Sequence, residues 1–302
     1  MPKRRIPYVF LLMALLTLLI HLFRDEMDTE EIKKQRYWIS KTRSTETYPI
    51  VFAGDSRVFR GLSPDHFSAE FENAKAINYA YWSNGYGLTY LKGLEQKMDT
   101  VAGLRIMVLG ISPHSLTKKA AKCDHYTWIK SSSKEHVLQT IYLSKVEEFF
   151  APYNTLKLGE KLTGKSKPNN FRITYHSNGW VESYWIVPDT SYSARFYKDL
   201  FTDNLVSQEV VDELLVYVKK WTSQGIHVVG FRPPTSHAIR QYEQKKGGFV
   251  EVDFVKQFET AGGIWIPVPI DDYQTFDGNH LDNQSAKQLS TDLARQIKEH
   301  IF

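Results

Sequence analysis

The chain contains little cysteine and little excess charge. Cys123 is its one cysteine among 302 residues, so the chain cannot form an internal disulfide. The formal net charge is +4, and three of the positive residues lie together at Lys3, Arg4 and Arg5. A domain that binds nucleic acid needs a larger basic patch than this. We therefore expect no nucleic-acid partner.

Signatures of cofactor binding are also scarce. No Gly-x-Gly-x-x-Gly fingerprint occurs, so the sequence gives no support for a dinucleotide cofactor. Cys123, Asp124 and His125 are metal-ligand types, but adjacent residues rarely chelate one ion together and no second cluster completes a set of four. We expect neither a metal nor an organic cofactor.

The one long apolar run lies at the start of the chain. Residues 6–20, extended by Leu22 and Phe23, supply roughly 17 apolar positions, just enough to cross a bilayer. Basic residues precede the run and acidic residues follow it. The positive-inside rule therefore predicts a cytoplasmic flank at 1–5, a single-pass anchor in the inner membrane at 6–23 and a periplasmic domain. A cleaved signal peptide is the alternative, although no small-x-small cleavage site follows the run. Charged residues 24–46 would form a juxtamembrane stalk.

Five short apolar runs in the rest of the chain have the composition of buried parallel strands. Helical patterns lie between them, the clearest of which starts after Ser207 as N-cap and stops before Gly225. A final helix is predicted over residues 284–301. This alternation predicts an α/β domain over 47–302, a flavodoxin-like three-layer α/β/α sandwich around a five-stranded parallel sheet. The predicted strands are residues 50–53, 76–79, 105–111, 226–231 and 264–268.

Two short motifs carry residue types for nucleophilic catalysis. Gly-Asp-Ser-Arg at 54–57 directly follows the first predicted strand, and Asp-Gly-Asn-His at 277–280 precedes the last helix. A serine hydroxyl needs a base, imidazole has a suitable pKa, and a nearby carboxylate can hold the second ring nitrogen. We predict Ser56 as nucleophile, His280 as base and Asp277 as the carboxylate that orients it. Each motif alone is also an ordinary turn sequence, so the prediction depends on their joint position.

These motifs resemble those of the SGNH or GDSL-like hydrolases, which have a Gly-Asp-Ser nucleophile motif and an Asp-x-x-His motif near the C-terminus. The similarity covers about residues 49–300. It is strongest to the membrane-anchored bacterial branch that includes alginate and peptidoglycan O-acetyltransferases and the D-alanyl transfer protein of teichoic acid operons. Gly-Ile-Ser-Pro at 110–113 and Arg-Pro-Pro at 232–234 have the character of that branch. The resemblance implies an acyl-enzyme on Ser56.

The oxyanion hole departs from the pattern of the family, which uses a glycine N–H and an asparagine side chain. Near the expected glycine the chain has Ser83, with Gly85 as the nearest glycine. Ser112 stands where the asparagine would be. The candidate donors are therefore Ser56 itself, Ser83, Gly85 and Ser112. Because one missing donor can cost about 100- to 1000-fold in turnover, a slow hydrolase, a transferase and a non-catalytic relative all stay open.

A large insertion at about 117–205 separates the third and fourth predicted strands. Asn178-Gly179 between alternating side chains predicts a hairpin, and the insertion could cover the cleft as a cap. Its aromatic side chains could stack on sugar rings or form the core of the insertion. Arg57 and Arg232 are candidates for binding an anionic substrate, and His114 is a further candidate at a sheet end.

The sequence thus predicts an extracytoplasmic serine esterase or O-acyltransferase that acts on acyl esters of cell-envelope or exopolysaccharide carbohydrate. The resemblance leaves room for a membrane-embedded acyltransferase as partner. The alternative is a catalytically inactive carbohydrate-binding or polysaccharide-assembly protein with the same fold. Hydrolysis and transfer use the same triad, so the residues leave the acceptor and the acyl group open.

Overall fold

A computed structural model describes residues 6–23, 30–144, 146, 170–197 and 199–302. The chain divides into two compact units. One consists of Met1–Ser40 and Ser132–Asn169, and the other of Lys41–Ser131 and Asn170–Phe302. Three predicted segments lie outside the described residues: the basic flank 1–5, the acidic part of the stalk at 24–29, and 147–169 within the insertion.

The described part of the first unit is helical. It contains Ile6–Phe23, most of Glu30–Arg43, and Lys134–Leu138 followed by the π-helical turn Gln139–Leu143. Ile6–Phe23 has the bounds predicted for the membrane anchor. Within the described ranges, no helix combines the length and the apolarity that a membrane crossing requires. The anchor therefore stays a prediction.

A five-stranded sheet forms the centre of the second unit. Its strands are β1 (Ile50–Ala53), β2 (Ala76–Asn78), β3 (Ile106–Gly110), β6 (His227–Phe231) and β7 (Ile264–Ile266). They lie in the order β2-β1-β3-β6-β7, and every adjacent pair is parallel. This confirms the α/β class and the five-stranded parallel sheet, and the order is that of a flavodoxin-like sheet. The strands end within two residues of their predicted limits.

Two groups of helices flank the sheet. Ser56–Gly61, Pro64–Ser68 and Asn283–Ile301 pack against one another, and Gln208–Ser223 packs against Leu88–Lys97 and Glu251–Thr260. An apolar face is buried in each of the four longer helices, Leu88–Lys97, Gln208–Ser223, Glu251–Thr260 and Asn283–Ile301. The second unit also contains the helices Lys118–Ala121, Asp124–Ser131, Ala194–Tyr197 and His237–Lys246, and the 3₁₀ turns Ala69–Phe71 and His114–Leu116.

The last helix begins one residue earlier than predicted. Asp282 is its N-cap, because the Asp282 carboxylate accepts a hydrogen bond from the Ser285 backbone N–H at 2.7 Å. The helix therefore follows His280 closely and fixes the position of the turn that carries it.

The predicted hairpin is present as β4 (Phe171–Tyr175) and β5 (Val181–Trp185), which pair antiparallel. At its tip, Gly179 has φ +87°, and a Cβ there would lie 2.1 Å from the Asn78 carbonyl oxygen. The Asn78 backbone N–H donates to the Asn178 carbonyl at 2.8 Å. The hairpin therefore lies against the carboxyl end of β2, on the sheet edge that carries the nucleophile motif.

The segment predicted as a juxtamembrane stalk is packed at its end. Lys41, near the end of Glu30–Arg43, is buried and donates to the carbonyl oxygens of Ala80 at 2.8 Å and Gly179 at 3.2 Å. Thr42 is buried as well. The last residues of this helix therefore belong to the core of the second unit.

Candidate active site

The turn after β1 presents Ser56. Gly54 has φ +150°, and a Cβ at this position would lie 2.5 Å from the Val58 side chain, so only glycine fits. Asp55 then caps the following helix, because its Oδ1 accepts from the backbone N–H of Arg57 at 2.9 Å. Ser56 is the first residue of that helix. It lies at the carboxyl end of a parallel strand, where open α/β sheets bind ligands.

Asp55 is held from the end of β3. Its Oδ2 accepts a hydrogen bond from Ser112 Oγ at 2.7 Å, and Ser112 Oγ accepts from the Ser115 backbone N–H at 3.1 Å. Ser112 is fully buried. Its hydroxyl supports the nucleophile turn instead of facing the cleft, so the prediction of Ser112 as an oxyanion donor is wrong.

The turn at 277–280 folds around the carboxylate of Asp277. Asp277 Oδ1 accepts from the backbone N–H groups of Asn279 at 2.9 Å and His280 at 2.8 Å. Gly278 has φ +87°, and a Cβ there would lie 2.1 Å from the Thr190 carbonyl oxygen. The turn leaves Asp277 Oδ2 only 2.8 Å from His280 Nδ1.

Ser56, His280 and Asp277 form one hydrogen-bonded chain. Ser56 Oγ lies 2.8 Å from His280 Nε2. Because an ionised carboxylate can only accept, the tautomer consistent with this geometry carries its hydrogen on Nδ1, and Nε2 accepts from the serine hydroxyl. The structure therefore brings the three predicted catalytic residues together in the order that nucleophilic catalysis needs.

Burial sets the acid–base properties of the pair. Burial lowers the pKa of His280 below its ordinary value, and the charge and hydrogen bond of Asp277 offset this only in part. Burial alone would raise the pKa of Asp277. The charge of His280 and the hydrogen bonds from His280 and the backbone outweigh burial, and the pKa of Asp277 falls to about 2. Near neutral pH the pair is a carboxylate beside a neutral imidazole, the state in which His280 can act as a base.

The remaining oxyanion candidates differ in whether their backbone N–H groups already donate to another residue. The Gly85 backbone N–H donates to the Ala120 carbonyl at 2.9 Å, so the prediction of Gly85 as a donor is wrong. Ser83 is exposed with φ +48°. Within the described part of the chain, neither the Ser83 nor the Ser56 backbone N–H has a hydrogen-bond partner. These two amides stay candidates.

Asn279 is a site residue that the sequence interpretation missed. Its Oδ1 accepts from Arg57 Nε at 2.9 Å, and because an arginine N–H can only donate, this contact fixes the orientation of the amide. Asn279 Nδ2 then faces the imidazole, 3.3 Å from His280 Nε2. It thus lies next to the ring nitrogen that accepts from Ser56, where it can donate to a developing oxyanion. Its place directly before His280 is the signal that could have indicated it.

Arg57 and Arg232 are paired inside the protein. Glu243 is fully buried and lies 2.6 Å from Arg57 Nη2 and 2.7 Å from Arg232 Nη2. Arg57 also donates to the Tyr197 hydroxyl, and Arg232 to Glu251. Both arginine side chains are only 3% exposed. Because Glu243 and Glu251 already pair with them, the two side chains are not available to an anionic substrate in the way the sequence predicted.

His114 is also buried, with 8% of its surface exposed. Burial lowers its pKa, while the charge of Asp55 acts in the opposite direction and the charge of Arg57 lowers the pKa further. The imidazole therefore belongs to the buried charged cluster under the nucleophile turn. Contact of His114 with substrate stays a prediction.

A cleft of about 330 Å³ opens beside the catalytic turn. Trp185 and Phe171, from the hairpin of the insertion, contribute to its wall. Trp180 of the same hairpin is buried, and its Nε1 donates to the Arg60 carbonyl at 2.9 Å. The aromatic residues of the hairpin therefore divide between cleft and core. The cleft is lined by Arg60, Trp82, Phe171, Trp185, Phe276, Asp277 and His280.

No group of potential metal ligands occurs within the residues that the structure describes. Cys123 is buried, and its thiol donates to the Gly85 carbonyl at 3.2 Å. The sequence does contain one phosphate-loop spacing, Gly-x-x-x-x-Gly-Lys-Ser at 159–166, which lies outside the described residues. Such a spacing indicates a nucleotide site only where it follows a strand and precedes a helix.

Comparisons with known proteins add little. No model of a known protein family matches the chain, and no curated protein matches it. Among solved structures, the chain is similar to one named provisionally as a platelet activating factor from Streptococcus pneumonia. The two share 12% identity with a TM-score of 0.35, over 96% of this chain and 99% of that one. A similarity at this level supports no argument about fold or function.

Proposed function

We propose that the chain is a serine esterase or O-acyltransferase that acts on acyl esters of carbohydrate. The observation that carries this proposal is the hydrogen-bonded chain from Ser56 through His280 to Asp277, in which both side-chain contacts measure 2.8 Å. The resemblance of the two motifs to those of the SGNH hydrolases supports the same chemistry.

The first half-reaction forms an acyl-enzyme. Ser56 Oγ attacks the ester carbonyl carbon while its proton passes to His280 Nε2, and the carbonyl oxygen becomes an oxyanion. When the tetrahedral intermediate collapses, the bond to the alcohol oxygen breaks and His280 returns the proton to that oxygen. Asp277 stabilises the transient imidazolium and holds the ring in place. The alcohol leaves, and the acyl group stays on Ser56.

The oxyanion needs donors that are already in position. The candidate donors are the backbone N–H groups of Ser56 and Ser83 and the Asn279 side chain, whose amide Arg57 holds and whose Nδ2 lies 3.3 Å from His280 Nε2. A hole of this composition would replace the glycine and asparagine of the SGNH pattern. The departure from the family motif therefore does not exclude catalysis.

The second half-reaction decides between hydrolysis and transfer. Water that attacks the acyl-enzyme makes the protein an esterase, and a sugar hydroxyl makes it a transferase, with His280 as base in both cases. The aromatic wall of the cleft supports a carbohydrate on one side of the ester. By analogy with envelope acyl-transfer proteins, the acceptor would be an exopolysaccharide or cell-wall polymer, and a membrane-embedded acyltransferase would supply the acyl group.

The proposed location is the outer face of the inner membrane. Helix Ile6–Phe23 exposes a series of large apolar side chains, including Phe10, Leu11 and Leu12, and a basic cluster precedes it in sequence. We expect the full chain to stay in the membrane fraction after alkaline carbonate extraction and a chain that lacks residues 1–23 to leave it. Release of the full chain would contradict membrane attachment.

A serine-directed fluorophosphonate probe tests the proposed chemistry. Mass spectrometry should find the label on Ser56, and Ser56→Ala and His280→Ala should both abolish labelling, because the probe reacts with an activated hydroxyl. Ser131→Ala, which removes an exposed hydroxyl at the end of helix Asp124–Ser131, should label normally. Absence of label in the folded full chain would favour the carbohydrate-binding or assembly role.

A further inference from the structure

Arg60 is a buried cation in the wall of the cleft. It is 6% exposed and lines the cleft together with Asp277 and His280. Because it follows Ser56 by four residues in the same helix, the two side chains are neighbours on one face, with their Cβ atoms about 6 Å apart. A group held by Arg60 would therefore lie close to an ester carbonyl at Ser56.

The guanidinium of Arg60 has no carboxylate partner among the described residues. Its Nη1 donates to the Ser183 hydroxyl at 2.6 Å, its Nε is buried without a partner, and its Nη2 makes no hydrogen bond to a described residue. Arg57 and Arg232, by contrast, both pair with Glu243. Burial lowers the pKa of Arg60 to about 10, and the charge of Asp277 offsets this only in part. Arg60 is therefore still a cation at neutral pH.

The neighbours of the Arg60 guanidinium are aromatic rings, whereas the neighbours of Arg57 and Arg232 include a carboxylate. Its Cζ lies 5.5 Å from the ring centroid of Trp82, 5.4 Å from Phe171 and 6.0 Å from Phe276. Ring faces attract a cation, but they do not accept hydrogen bonds in the plane of the guanidinium. The N–H groups of Arg60 that Ser183 does not occupy, on Nε and Nη2, therefore keep their capacity to bind an anion.

We infer that Arg60 binds a carboxylate of the substrate, next to the ester that Ser56 attacks. The inference rests on the proposed function, since it names the substrate class of the same site: esters that carry a negative charge beside the scissile bond. A carboxylate matches the planar N–H groups, and the aromatic wall strengthens the contact by excluding water. A neutral ester would leave a buried cation unpaired, so the cleft discriminates against it.

A carboxylate at Arg60 would also act on the catalytic base. The charged groups that act on His280 are Asp277, Arg60 and Arg57, and the two arginines both lower its pKa. Once a carboxylate neutralises Arg60, the imidazolium forms more easily and the pKa of His280 rises in the complex. The acid limb of kcat, which reports the complex, should therefore lie at higher pH for an anionic ester than for a neutral one.

Two matched pairs of esters test the inference and show on which side of the ester the carboxylate lies. The first pair is 4-nitrophenyl acetate and 4-nitrophenyl hydrogen succinate, with the charge on the acyl side. The second is an acetylated methyl glucoside and the corresponding acetylated methyl glucuronide, with the charge on the alcohol side. We expect the full chain to prefer the anionic member of at least one pair by about 10- to 100-fold in kcat/KM.

Substitutions assign the preference to Arg60. Arg60→Gln should abolish the preference by raising KM for the anionic ester more than KM for the neutral ester, and Arg60→Lys should restore part of the preference. Arg295→Gln removes an exposed charge 12 residues beyond the start of the last helix and should keep the full preference. Thermal unfolding of each variant shows whether it folds. If Arg60→Gln does not fold, the preference of the unmodified chain for the anionic ester still tests the inference.

The outcomes separate the inference from the proposed function. Cleavage of both members of each pair at equal rates overturns the inference and leaves the proposed function intact. If the chain cleaves no ester, calorimetric titration of the Ser56→Ala protein with the acetylated glucoside and glucuronide decides the inference alone. Tighter binding of the glucuronide that Arg60→Gln removes supports an anion subsite, and equal binding of the two sugars overturns it.

Discussion

Replacing Ser56 by alanine should lower ester turnover by about 10⁴- to 10⁶-fold, and His280→Ala should have an effect of the same size. The serine hydroxyl and the imidazole act in a single step, because the proton leaves Ser56 Oγ for His280 Nε2 across 2.8 Å. The double variant should therefore be no worse than either single one. Single-turnover kinetics with 4-nitrophenyl acetate, which separate acylation from product release, provide the measurement.

Two control variants show whether the loss is specific to the site. Ser131→Ala and His300→Ala remove the same functional groups from exposed helix ends and should change turnover by less than about twofold. Additive losses in the Ser56→Ala, His280→Ala double variant would mean that the two groups act in separate steps. Full turnover in Ser56→Ala would place the reaction elsewhere in the chain.

The sheet could be predicted because each strand is indicated by residues that are adjacent in the sequence. The run at 50–53 and the run within 105–111 are short, apolar and flanked by turn residues, and both became central strands, β1 and β3. Since parallel strands direct their carboxyl ends to one edge, the order of the runs also predicted where Gly54 and Ser56 would meet the turn at 277–280. The apolar runs thus predicted the sheet, and the positions of the two motifs relative to these runs favoured a shared site.

The environment of the arginines could not be predicted, because it depends on partners remote in sequence. Arg57 and Arg60 look equivalent in the sequence, yet the first meets Glu243, 186 residues away, and the second meets aromatic rings. Glu243 gives no sequence signal of burial, since it lies in the mainly polar helix His237–Lys246. The assignment of an anion site to Arg57 instead of Arg60 therefore failed through tertiary pairing that residue type does not indicate.

The roles of Ser112 and Asn279 also depend on tertiary contacts that the sequence does not show. The family pattern predicts an oxyanion donor at position 112, but the Ser112 hydroxyl donates its hydrogen bond to Asp55. Asn279 reads as part of a common turn, and only the contact with Arg57 Nε reveals how its amide is directed. Both outcomes follow from hydrogen-bond geometry within about 3 Å, which motif spacing does not specify.

Glu243→Gln should lower the free energy of unfolding by about 3–5 kcal/mol. Glu243 is fully buried, and its two oxygens accept from Arg57 at 2.6 Å and Arg232 at 2.7 Å. Glutamine keeps the shape but leaves two buried guanidinium groups without their shared negative charge. Urea unfolding followed by tryptophan fluorescence provides the measurement. Glu259→Gln, on an exposed position of helix Glu251–Thr260, is the matched control and should change the free energy by less than about 0.5 kcal/mol.

The pH dependence of this difference identifies its origin. Burial alone would raise the pKa of Glu243, but the charges of Arg57 and Arg232 outweigh burial and lower it below its ordinary value. The stabilisation by the carboxylate is therefore fully present above the pKa of an unfolded glutamate and is lost as the pH falls through the lowered folded value. The gap between the unmodified chain and Glu243→Gln should narrow at acid pH. A gap that is constant with pH would show that the variant acts through packing and that the charge of Glu243 does not hold the two arginines.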